Sequence, residues 1–124
     1  TPVPVRHPVA EPYALRVECT EDDGRVTTVA YSGDTDACEG LVEAARDADL
    51  FLCEAAFEDG RDDHLEGVHL NGSRAGVAGT QAGAKRLLLT HIPVWTDHQV
   101  LMACAAREYD GDLAVAVSGV TYDI

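Results

Sequence analysis

A chain of 124 residues carrying 22 Asp and Glu against nine Lys and Arg, a formal charge of −13, has room for one domain and a surface that repels phosphate backbones. Broad nucleic-acid binding by this chain is therefore not expected, and a small anionic substrate would need local positive charge such as a metal supplies. Apolar residues make up 46% in short blocks, none near the roughly 18–20 residues of a membrane span, and the N-terminus has no apolar signal segment. The expectation is a cytoplasmic protein.

In chain order, residues 13–19 (YALRVEC) alternate apolar and polar as a strand does. Asp23-Gly24 marks a hairpin turn, and residues 26–31 (VTTVAY) are the return strand. "SGDTDACEG" is a loop running into a helix on which Leu41, Val42, Ala44, Ala45 and Ala48 recur at helical spacing. "DLFLCEAAF" is a strand buried on both faces that ends near Glu54. Residues 58–68 are a polar, Gly-bearing loop, and residues 73–82 a helix whose glycines suit close packing on a sheet. Residues 86–90 (RLLLT) are a strand. Thr96 and Gln99 have the form of a capping box, so a helix runs from about 97 to 108, and a last strand covers 113–117. The order hairpin-α-β-α-β-α-β predicts a single α/β domain.

The cysteines, Cys19, Cys38, Cys53 and Cys104, contain no CxxC pair. A zinc ribbon or thioredoxin-type motif is not expected, and the thiols read as reduced and structural.

In α/β sheets, functional groups gather at the carboxyl ends of strands. Here those ends carry Ser32-Gly33-Asp34-Thr35, Glu54 and Thr90-His91. His7 stands before the first expected strand, and His69 enters the second helix. Each has a plainer reading as well. Asp34 could be a turn former or cap, His91 a satisfied hydrogen-bonding group, His7 a solvent-exposed side chain, and Glu54 the partner of an arginine. His64 and His98 read as surface residues. Together, three imidazoles and two carboxylates on one edge make a donor set that zinc prefers, and a carboxylate can bridge two metals.

The ordered pieces "VRHPVAEPYALRVE", "AYSGDT", "ADLFLCEAAF", "VHLNGSRAGVAGTQAGAKRLLLTHI" and "LAVAVSGVTYDI" resemble the C-terminal half of the metallo-β-lactamase fold, in its ribonuclease Z-like, phosphodiesterase branch. The resemblance implies half of an αββα sandwich. It implies metal ligands His7, Asp34 (bridging) and His91, in an enzyme holding two Zn²⁺ or Mn²⁺ ions. It also implies His69 as a proton donor or phosphate stabiliser, oriented by Glu54. Cys53 replaces a histidine of the family's loop, so that relay is incomplete. The family's HxHxDH motif is absent. Three protein ligands do not complete a two-metal site, so this chain alone is expected to be inactive. The chain, which starts at "TPVPVRHP", is expected to be a fragment needing its N-terminal half or a second polypeptide. Self-association through an exposed half-core is a further expectation.

The implied function is a metal-dependent hydrolase, a phosphodiesterase of a small phosphodiester such as a cyclic nucleotide. The alternatives are a tRNA 3′-processing-like nuclease, a lactone, thioester or β-lactam hydrolase on the same scaffold, and a non-catalytic α/β binding domain.

Overall fold

The computed structural model describes residues 1–124. One six-stranded sheet runs in sequential order: β1 (Pro2–Pro4), β2 (Tyr13–Thr20), β3 (Val26–Tyr31), β4 (Leu50–Glu54), β5 (Arg86–Thr90) and β6 (Asp112–Val115). The first three strands are antiparallel and the last three add in parallel. The parallel steps are crossed by α1 (Glu39–Ala45), α2 (Gly72–Ala82) and α3 (His98–Glu108).

All three helices cover the same sheet face. Alternation along the strands puts Ala30, Phe51, Cys53, Leu87 and Leu89 on that face, where they meet Leu41, Ala45, Ala75, Ala78, Leu101 and Ala105 from the helices in one buried cluster. On the opposite face Leu15 pairs with Tyr31 and Val17 with Val29. Leu15, Val17 and Tyr31 remain 46%, 58% and 39% exposed, so an apolar surface of β2 and β3 lies uncovered. The helices approach closely because their contact residues are small. A Cβ on Gly76 would stand 2.6 Å from the Ala105 carbonyl oxygen, so only glycine permits this spacing of α2 and α3.

Three sequence expectations change. β1 was not foreseen, because its three residues include two prolines. It is an edge strand, where a missing N–H is tolerated, and His7 therefore follows the first strand rather than preceding it. Thr96 does not cap α3. Its hydroxyl is buried without a hydrogen-bond partner, and Asp97 is the cap, its carboxylate accepting from Gln99 N at 2.8 Å. The last strand stops at Val115, because Val117 N donates to the Tyr122 hydroxyl at 2.8 Å rather than extending the ladder.

Candidate metal and catalytic site

Glu54, the last residue of β4, is fully buried and holds the site together. Its Oε1 accepts from Thr35 N at 2.9 Å and from His69 Nδ1 at 2.6 Å. Its Oε2 accepts from Ala56 N and Leu70 N, both at 3.1 Å. The loop after β3 and both ends of the loop before α2 are thus tied to one carboxylate. Burial pushes the Glu54 carboxyl above its ordinary range, and the bonds from Thr35, His69 and Ala56 oppose that shift. Ser32 fixes the strand end from below, its Oγ accepting from Glu54 N at 2.9 Å and donating to Gly33 O at 2.7 Å.

The three predicted histidines gather here. His69 lies between the other two, with ring centroids 5.1 Å from His7 and 5.2 Å from His91. Phe57 meets His69 edge-on at 5.1 Å. Each imidazole has its Nδ1 against an oxygen: His7 on Val68 O at 2.7 Å, His69 on Glu54, and His91 on Asp34 Oδ1 at 2.7 Å. The Val68 carbonyl cannot donate, so His7 carries its proton on Nδ1 and offers Nε2 as a lone pair. The Glu54 carboxylate favours the same tautomer at His69. An Nδ1 fixed by an oxygen with Nε2 free is the arrangement of a metal-binding or proton-transferring imidazole.

Asp34, His69 and His91 each bring a donor atom within 4.8 Å of the other two. His7 stands outside that trio, beyond the His69 ring. One carboxylate and two imidazoles at this spacing fit a divalent metal by donor chemistry. His91 also has a left-handed backbone, φ 56°. That conformation is uncommon outside glycine, and such residues cluster at functional sites.

Several contributors were not singled out in the sequence. Asp36 is buried. It accepts from Gly67 N at 2.6 Å, Ala37 N at 2.7 Å and Arg74 Nη1 at 3.3 Å. The Arg6–Asp36 bridge joins the His7 segment to the same aspartate's backbone. Asp36 therefore clamps the segments that carry His7 and His69. In sequence it is hidden among the acids of "SGDTD". Trp95, 73% exposed, and Arg61 line a cavity beside His69 and His91; both lie in loops without periodicity to flag them.

The chain is similar to known proteins over most of its length. No family profile matches the chain. An uncharacterised protein of Mycobacterium leprae is 46% identical over 120 residues, which is 97% of this chain and 40% of the relative. The ribonuclease Z of Myxococcus xanthus is 40% identical over 99 residues, 77% of this chain and 32% of the enzyme. YhfI of Bacillus subtilis, a probable metallo-hydrolase, is 34% identical over 117 residues, 94% of this chain and 45% of the relative. The crystal structure of YhfI, a metallo-β-lactamase fold protein, matches with a TM-score of 0.82 and 32% identity, over 97% of this chain and 47% of that one. The chain thus spans less than half the length of these relatives. No helix is long and apolar enough to cross a membrane. Over 97% of its length the chain has the fold of the metallo-β-lactamase fold protein YhfI, and over 94% of its length it is similar in sequence to that probable metallo-hydrolase.

Proposed function

We propose that this chain is one part of a metal-dependent hydrolase, a phosphodiesterase acting on a small phosphodiester such as a cyclic nucleotide. The observation that carries the reading is the set of three imidazoles, each with Nδ1 on an oxygen and Nε2 free, beside Asp34. Asp34 and His91 would hold metal, with His7 a ligand on the far side of the site. A divalent ion such as Zn²⁺ or Mn²⁺, when bound, supplies Lewis acidity and lowers the pKa of water. The remaining ligands would come from further polypeptide, seated on the uncovered face of β2 and β3, since half a sandwich leaves that face in water.

His69 would act on the leaving oxygen. Its Nδ1 is held by Glu54 and its Nε2 is free to carry a proton toward the substrate. Glu54 would fix the ring's direction, which is a positioning role. Phe57 against the ring edge limits its rotation. The relatives named ribonuclease Z favour a second reading, hydrolysis of RNA. The charge of −13 weighs against a long polyanion on this chain, although the remaining polypeptide could add cations.

The test is hydrolysis of 3′,5′-cyclic AMP, bis(p-nitrophenyl) phosphate, a precursor tRNA, a homoserine lactone and a thioester. The enzyme would be this chain joined to the rest of its relatives' length, with and without EDTA. EDTA-sensitive turnover of the two small phosphodiesters is expected. Turnover of the lactone or thioester alone would overturn the phosphodiesterase reading. His69→Ala separates the roles: metal affinity retained with activity lost marks a proton donor, whereas lost metal affinity makes His69 a ligand.

A further inference from the structure

The cavity beside the histidines has a composition of its own. It encloses about 770 Å³ and is lined by Phe57, Arg61, Asp62, His69, His91 and Trp95, among others. That volume lies within the usual 300–1,000 Å³ of small-molecule sites. Trp95 is the single tryptophan of the chain and is 73% exposed. A tryptophan left in water forgoes a large burial energy. The turn closed by Thr96 N on Pro93 O at 3.0 Å brings it to the cavity wall.

The cation on this wall is already occupied. Arg61 donates from Nε and Nη2 to Asp62, and from Nη1 to Glu58 at 3.2 Å. One guanidinium between two carboxylates leaves a net charge of −1 there. A run of phosphates would find no free cation on this wall, and phosphate recognition falls to the imidazole end. The same cavity offers an indole and, beside His69, a phenyl ring, surfaces suited to a flat, uncharged ring system.

We propose that this cavity is a base-binding subsite. A single purine or pyrimidine lies against Trp95 while its phosphate reaches His69 and His91. The substrate is then a mononucleotide phosphodiester rather than a polynucleotide. This rests on the phosphodiesterase reading above, and the test separates the two.

Trp95 emission reports on the subsite without catalysis. Adenosine 5′-monophosphate is expected to quench it saturably in this chain, and ribose 5-phosphate, which lacks the base, to leave it unchanged. In the full-length enzyme, Trp95→Ala should raise KM for 3′,5′-cyclic AMP by roughly 5- to 150-fold, the range of one lost base stack. The loss should fall on KM more than on kcat, and Trp95→Phe should recover most of it. The side chain is exposed in this chain, so neither variant threatens its folding, and circular dichroism of the full-length variants checks the same there. Equal quenching by both ligands, no quenching by either, or an unchanged KM in Trp95→Ala would overturn the subsite while leaving the phosphodiesterase reading intact. Base-dependent quenching with no phosphodiester turnover would keep the subsite and remove that reading.

Discussion

Replacing Glu54 with glutamine probes the centre of the site with almost no change in shape. The carboxylate receives four donors, two on each oxygen: Thr35 N and His69 Nδ1 on one, Ala56 N and Leu70 N on the other. A glutamine has one oxygen. The glutamine can turn its oxygen to Ala56 N and Leu70 N and its N–H groups to Thr35 N and His69, whose Nδ1 accepts in the other tautomer. One donor, Thr35 N, is then left without an acceptor. An unsatisfied buried donor costs about 1–3 kcal/mol. The neutral amide is cheaper to bury than the carboxylate, whose pKa burial already raises, so the lower half, about 1–2 kcal/mol, is expected. Against a total stability of about 5–15 kcal/mol that is a sizeable fraction. For a chain of this length it lowers Tm by about 3–10 °C. Urea and thermal unfolding followed by circular dichroism, with exposed Glu11→Gln as control, measure it. A change in Glu54→Gln below about 0.5 kcal/mol, the usual surface range, would refute the picture of one carboxylate holding three backbone segments.

Further expectations concern His91, Asp49 and Cys53. Glycine is free to adopt the φ of 56° at position 91, so His91→Gly should keep or gain stability, by up to about 1 kcal/mol, while weakening metal binding measured by calorimetry. A destabilisation above about 1 kcal/mol would mean that the histidine is kept for folding. The Asp49 carboxylate accepts from Lys85 Nζ and Thr28 N, both at 2.8 Å, and Lys85 first, then Thr28, lowers its pKa below the ordinary value. Its contribution is therefore complete above about pH 4, the unfolded value, and is lost as pH falls through the lower folded value. Asp49→Asn should cost about 0.5–1.5 kcal/mol at pH 7 and flatten the acid limb of the unfolding profile; an unchanged limb would contradict the assignment. Burial first, then the neighbouring Glu54 charge, pushes the Cys53 thiol well above its ordinary range. Iodoacetamide at pH 8 should modify exposed Cys19 and spare Cys53, and peptide mass spectrometry showing equal rates would refute that.

Local pattern was enough for the hairpin, the three helices and the buried strands, because each sets its own period. Alternation in "YALRVEC", helical spacing from Leu41 to Ala48 and the apolar run of "RLLL" need no distant partner to be recognised. The residues Asp34, Glu54, His69 and His91 were visible for a related reason: strand ends in an α/β sheet fall on one edge, so chemistry-bearing side chains there converge. The Glu54–His69 pairing came from the family resemblance, and the structure has it at 2.6 Å. What tertiary structure alone decided is everything that depends on two segments far apart in the chain. β1 exists because β2 offers its edge to Pro2–Pro4. The cap of α3 is Asp97, whose carboxylate reaches Gln99 N, while the Thr96 hydroxyl is buried without a partner. Asp36 became a clamp because Gly67, Arg74 and the Arg6 segment arrive around it. The order of the rings, with His69 between His7 and His91, follows from separate anchors that the fold brings together: Val68 O on His7, Glu54 on His69 and Asp34 beside His91. A sequence states which donors and acceptors are present; which of them are buried together, and so must satisfy one another, is set by packing.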